Sequence, residues 1–311
     1  MDGKQLQTQY KEHLSDFNNW NQKEHAEDFI LYPKNIGYHL CIDETALSKG
    51  ELYTILTNRD KHGRKGTIVA IVKGTKAEDV INVLLKIDAD KRNQVKEITL
   101  DMAGSMQKIA KRCFPGAMQV VDRFHVSMMV YEAVQALRIA YRWQVMKDEY
   151  RKIKEAKAKG ESYEPKVFGN GDTLRQLLAR SRYLLFKAPD KWLQSQKVRA
   201  KLLFEQFPDI KSVYYYALRL GKIFSDYTDK DVARAKLALW YNEIEEFGYD
   251  TFTTVANSIE NHYERILNYF VNRSTNAAAE AFNAKIKAFR ASFRGVVDKR
   301  FFLYRLAKVY A

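Results

Sequence analysis

A chain of 311 residues, 46% of them hydrophobic, can bury a sizeable core in one large or two interlocked domains, which excludes a disordered chain. Its formal charge of +14 suits a polyanionic partner, nucleic acid before membrane, because neutralising phosphates releases counterions. Two cysteines without a CxxC pair, Cys41 and Cys113, exclude a disulfide framework and speak against a structural zinc site; no apolar run of about 18 residues and no signal-peptide core point to a soluble, cytoplasmic protein.

Residues 1–35 are polar, with weak helical spacing of Tyr10, Leu14, Phe17 and Trp20, and are predicted to form a short N-terminal helical segment ending at Pro33. From Gly37 the period becomes two: Tyr38, Leu40 and Ile42 alternate with His39, Cys41 and Asp43, the mark of a half-buried strand that ends at Asp43. ELYTILTN (51–58) and TIVAIVKG (67–74), joined by a charged turn, are predicted hairpin-connected strands. A helix near 77–87 leads to the strand VKEITLD (95–101), a helix over 105–113 and a fifth strand, AMQVVD (117–122). Hairpins make neighbours antiparallel, whereas helical crossovers return the chain parallel and right-handed. If the crossover lays the fourth strand beside the first, Asp43 and Asp101 stand together at carboxyl ends, where α/β sheets hold ligands.

Beyond Phe124 the strand signal stops. Val130, Val134, Leu137, Tyr141 and Val145 begin a long amphipathic helix, and helical patterns continue to about residue 270. Strand order 3-2-1-4-5 is expected, with residues 36–126 as the first part of the core, 127–270 as an all-α insertion, and 271–311 as the last core helix with a basic segment. That last helix, Ser274 to Arg290, is predicted to be capped by Ser274 or Thr275 and to carry Asn276, Glu280, Asn283 and Lys287 on one face of an alanine-rich body.

Two strand-end aspartates and one helical glutamate, Asp43, Asp101 and Glu280, form the hard-oxygen set that holds magnesium for phosphodiester chemistry. Two rivals stand beside them. Glu44 follows Asp43 but faces the other side of the strand, and Asp122 ends the fifth strand, one place further from the first. From Ala281 on, eight basic residues meet one acid; of these, Lys285, Lys287, Arg290, Arg294, Lys299 and Arg300 are candidate phosphate contacts. The tryptophans 143, 192 and 240 suit a core, with stacking on an extruded base as the alternative.

CIDET with Asp43, ITLDMAGS with Asp101, QVVDRFHV with Asp122 and His125, and STNAAAEAFNAKIKAFR with Glu280 together resemble the ribonuclease H-like DDE transposases of bacterial insertion sequences, most closely the ISL3-like family. The resemblance covers roughly residues 36–126 and 271–294. It implies a ribonuclease H-like α/β mixed sheet and two magnesium ions, replaceable by manganese, held by Asp43, Asp101 and Glu280. It further implies cleavage at transposon ends and strand transfer into target double-stranded DNA, by a homo-oligomer acting in the bacterial nucleoid. Asp122, His125, Asn276 and Asn283 are expected to support the site. Such transposases carry an N-terminal end-recognition region, and here the core begins within about forty residues of the start, so either a separate recognition polypeptide is a further expected partner or the chain is a truncated or partial product. A catalytically inactive DNA-binding relative and a general nuclease on the same fold are the alternatives.

Overall fold

The structure, a computed structural model, describes residues 3–48, 50–248, 250–293 and 295–311. The chain divides into two compact units, one running through Asp122 and resuming at Glu264, the other spanning Arg123–Tyr263.

The first unit is built on a six-stranded sheet: β1 (Phe29–Leu31), β2 (His39–Ser48), β3 (Glu51–Asn58), β4 (Ile68–Lys73), β5 (Glu97–Leu100) and β6 (Met118–Val121), in the order β1-β4-β3-β2-β5-β6. Strands β1 to β4 pair antiparallel, while β5 joins β2, and β6 joins β5, in parallel. The order departs from the expected five strands because β1 takes the edge beside β4, in residues predicted to be helical. Three residues are too short a run to show alternation, and Ile30 is fully buried once paired against Ile71. β2 also outruns its expected end at Asp43: it continues to Ser48 because residues 43–46 pair with Ile55, Thr54, Tyr53 and Leu52 across the hairpin.

Helices before the helical unit are α1 (Gly3–Gln9), α2 (Ala77–Leu84), α3 (Ala89–Asn93) and α4 (Gly104–Cys113). Val80, Ile81 and Leu84 of α2 and Met106, Ile109 and Ala110 of α4 are buried where these helices meet each other and the sheet. The helical unit comprises α5 (Arg123–Ala158), α6 (Leu174–Arg180), α7 (Gln194–Gln206), α8 (Pro208–Asp226), α9 (Lys230–Phe247) and α10 (Asp250–Asn261); α11 (Tyr263–Leu267) straddles its end. Its described residues hold no strand, only an isolated bridge between Val167 and Thr173. It is pinned by fully buried Asp172, which takes Arg199 Nε at 2.7 Å and the Arg180 guanidinium, and by buried Trp240, whose indole N–H donates to Tyr216 O. The chain then returns through α12 (Tyr269–Asn272), α13 (Ala277–Ser292) and α14 (Lys299–Tyr310).

One face of the sheet buries Ile55, Ile68, Ile71 and Leu47 against Phe282 and Ile286 of α13 and Phe302, Leu303 and Leu306 of α14. The N-terminal residues close over the far side of α14. Phe17 meets Phe301 and Tyr304 edge-on, with centroids 5.2 and 5.4 Å apart, and Trp20 meets Tyr304 at 5.5 Å. No helix among the described residues is long and apolar enough to cross a membrane.

Candidate active site

The strand register places the acidic residues. Parallel pairing sets His39 opposite Glu97 and Cys41 opposite Thr99, so the same register carried two residues further sets Asp43 opposite Asp101. Likewise Leu100 stands opposite Val121, which carries Asp101 to Asp122; the Asp122 N–H donates to Leu100 O at 3.0 Å, extending that pairing. Asp43, Asp101 and Asp122 therefore form a row across three neighbouring strands. Cross-strand partners share a face. Asp43 pairs with Ile55, which packs under Phe282 and Ile286, so the Asp43 side chain faces α13 while Glu44 faces away.

The second component, α13, is brought to this row by asparagines. Asn268 Nδ2 donates to Gln119 O on β6 at 2.9 Å, and Asn272 Nδ2 to Glu97 Oε2 on β5, also at 2.9 Å. Asn276 Nδ2 then reaches Ile42 O on β2 at 3.4 Å, and Asn283 Nδ2 donates to Asp43 Oδ2 at 2.7 Å. The returning chain thus steps from β6 to β5 to β2, and α13 is set over the strand ends. Glu280 lies one turn before Asn283, and a carboxylate oxygen of Glu280 approaches one of Asp122 within 4.8 Å.

The helix begins later than predicted. Asn276 occupies the cap position instead of Ser274 or Thr275, because Ser274 is buried and hydrogen-bonds Glu97, and the Asn276 amide is turned to β2. Only the Thr275 hydroxyl gives a weak cap, accepting from Ala277 N at 3.4 Å. Asn276 is fully buried, and its Oδ1 has no hydrogen-bond partner among the described residues.

Asp43 Oδ1 accepts the Glu44 N–H at 2.8 Å, and Asp101 Oδ1 accepts the Ala103 N–H at 2.8 Å, so both carboxylates are oriented by backbone as well as by register. Burial raises the Glu44 carboxyl pKa above its usual range, and the negative fields of Asp101 and Asp43 raise it further. Beneath the row, Cys41 receives the Thr99 hydroxyl at 2.8 Å, and burial pushes its thiol up to about 11, so it is an inert core group.

The donor set suits a divalent cation. All the row's donors are carboxylate oxygens, and like charges this close stay ionised cheaply only when a cation joins them. Oxygens sharing one magnesium at about 2.0–2.1 Å stand at most about 4.2 Å apart, so the Asp122–Glu280 approach needs little closing.

Asp122, which sequence reasoning ranks behind Asp101, has a carboxylate oxygen within 4.8 Å of one of Glu280. Asp122 continues β6, so the strand-end register puts it in the same row; strand order alone says nothing of where the helix comes down. His125, three residues on, lies in the first turn of α5 and so in the helical unit. Asn268 and Asn272 carry no role in the sequence reading, though their spacing of four from each other and from Asn276 was visible.

Several of the predicted phosphate contacts are engaged within the protein. Lys285 Nζ donates to Gly63 O at 2.9 Å in the β3–β4 connection, where Gly63 has φ of +73° and an added Cβ would strike that ammonium. Arg290 reaches Ala46 O and Leu47 O, Lys299 pairs with Glu51, and Arg300 pairs with Glu27 at 3.0 Å. Lys287 is exposed on α13 and makes no ion pair among the described residues; Arg294 lies outside them.

No curated protein matches the chain. Residues 40–306, which include the whole acidic row, Glu280 and the helical unit, match the ISL3-type DDE family, described as transposase. The chain belongs to the ISL3 family of DDE transposases.

Proposed function

We propose that this chain cleaves DNA at transposon ends and transfers those ends into target DNA by divalent-metal-dependent phosphodiester chemistry, with Asp43, Asp101 and Glu280 as the metal-holding carboxylates. The observation that carries the reading is the seating of α13: Asn283 grips Asp43 at 2.7 Å while Glu280, one turn away, approaches Asp122 within 4.8 Å. The same approach supports giving Asp122 a share in cation binding, beyond a bracing role. A pair of magnesium ions, or manganese in their place, would supply a Lewis acid for the attacking water or freed 3′-hydroxyl and charge neutralisation at the leaving oxygen.

The protein's own part is positioning. Asn283 and the Glu44 N–H hold both oxygens of Asp43 in place, so its lone pairs need no reorganisation when a cation arrives. Asn276 Oδ1, buried and without a hydrogen-bond partner among the described residues, is a neutral acceptor suited to a bound water beside β2. Lys287, exposed on the same helical face as Asn283 and without an ion pair among the described residues, is suited to a phosphate of the bound strand. Double-stranded DNA is the substrate class, and joining two ends calls for at least two copies of the chain on DNA.

The test is cleavage of a supercoiled plasmid carrying the element's ends, in magnesium. Asp43→Asn, Asp101→Asn and Glu280→Gln are each expected to abolish strand cleavage and to leave DNA binding intact. Full cleavage by any one of them removes that residue from the metal-holding set.

A further inference from the structure

The helical unit carries a groove of about 780 Å³ between one face of α5 and residues 179–186. Three guanidinium groups line it, Arg138, Arg142 and Arg182, against a single carboxylate, Glu132. Arg138 is 4% exposed, yet its hydrogen-bond acceptors are neutral: Gln135 Oε1 takes Nε at 2.7 Å and Leu178 O takes Nη1 at 2.9 Å. None of the three arginines pairs with a carboxylate among the described residues. A buried cation satisfied only by amide oxygens, with two more cations facing it, is an arrangement that an anion would relieve. Burial, then the fields of Arg142 and Arg182, lower the Arg138 pKa, in keeping with that crowding.

The groove also has aromatic faces open to solvent. Trp143 is 65% exposed and Tyr183 is 68% exposed, with the Arg182 guanidinium 5.3 Å from the Tyr183 ring centre. Trp192 and Trp240, by contrast, each donate the indole N–H to a carbonyl, Leu184 O and Tyr216 O. Cations alternating with exposed ring faces match what an unpaired nucleic-acid strand offers, phosphates along one edge and bases free to stack. A duplex keeps its base faces covered and has no use for the rings. Met146 and Phe186 in the lining add apolar surface that favours a base over a hydrated phosphodiester alone.

We propose that this groove binds an unpaired DNA strand, with phosphates on Arg138, Arg142 and Arg182 and a base stacked on Trp143 or Tyr183. It rests on the transposase reading only in the choice of DNA over RNA. The full chain is titrated into a fluorescein-labelled oligothymidine of about 15 nucleotides, sized to such grooves, with chelator present and anisotropy read out. Trp143→Ala is expected to weaken binding roughly 5- to 150-fold, the range given by about 1–3 kcal/mol per stacked base, with Trp143→Phe close to wild type. Arg142→Glu with Arg182→Glu is expected to weaken oligothymidine binding and to flatten the dependence of log affinity on log salt. Binding of a duplex of equal length is expected to be unmoved by Trp143→Ala. All three side chains are exposed, so these variants keep the fold, as circular dichroism will register.

Unchanged oligothymidine affinity in Trp143→Ala or in the charge-reversed variant overturns the proposal, as does equal weakening of single strand and duplex, or tighter binding of the RNA counterpart. Because binding is read without metal, a chain that binds the strand but cuts nothing refutes the carboxylate assignment alone. A chain that cuts and ignores these substitutions refutes the groove alone.

Discussion

Glu97 offers the sharpest test of how the site is held. It is 1% exposed at the start of β5 and accepts Arg59 Nη1 at 2.6 Å, Asn272 Nδ2 at 2.9 Å and the Ser274 hydroxyl. Two of these donors belong to the segment that delivers α13, so Glu97 links β5 to the placement of Glu280. Burial raises its pKa, but the hydrogen bonds of Asn272 and Ser274 and the Arg59 charge outweigh burial, and the net shift is downward from 4.5. Glu97→Gln keeps the shape and removes the charge, leaving Arg59 without its counter-ion. Breaking a buried pair costs about 3–5 kcal/mol, and since Arg59 is 17% exposed the lower end applies, about 3 kcal/mol. Urea titration of the whole chain should show that loss as a lower midpoint at unchanged slope.

The pH dependence has a fixed sign. With the folded pKa depressed, the unfolded chain binds the proton first on acidification, so the Glu97 contribution is complete above pH 4.5 and is lost as pH falls through the folded value. Wild type should therefore lose stability more steeply than Glu97→Gln in the window below pH 4.5. A midpoint shift worth less than about 1 kcal/mol, or equal acid slopes in the two proteins, refutes the reasoning.

Two further outcomes follow from the same structure. Asp172→Asn should destabilise the protein by about 3 kcal/mol, seen in thermal melting, because Arg180 and Arg199 lose a carboxylate with no solvent exposure of its own. Lys287→Ala should leave the melting temperature unchanged and lower the slope of log affinity for DNA against log salt by about 1, whereas Lys299→Ala should lower the melting temperature through the lost Glu51 pair and leave that slope unchanged.

Five short strand-like segments and two helical crossovers are legible because periodicity is a local rule; that the fourth of these strands lies beside the first, bringing Asp43 opposite Asp101, is a condition of that reading which the parallel pairing of β2 with β5 meets. β1 escaped that reading because three apolar residues carry no period, and its pairing with β4 is a tertiary event. The far end of β2 escaped it because Asp43, Glu44 and Thr45 look like a strand terminus until the hairpin partner supplies their ladder. At the basic end of the chain, sequence counts charges but cannot show where the acids lie. Glu51, Glu27, Asp16 and the carbonyls of Gly63 and Ala46 are distant in sequence, and they engage much of what looked like one free cationic surface.

Register alone aligns three aspartates, since each follows from backbone pairing that a strand makes whatever its side chains are. The glutamate has no such guarantee: it sits on a helix that joins no strand, 158 positions after Asp122 in the sequence. Its placement therefore depends on side chains that bond to the sheet where a strand would have used its own backbone. Asn268, Asn272, Asn276 and Asn283 fill that role, and asparagine is suited to it because one short side chain carries both donor and acceptor without charge. A charged residue in their place would shift the carboxylates it touched. The aspartate row thus belongs to the sheet, and the glutamate is joined to it by amide hydrogen bonds that substitution can loosen one at a time.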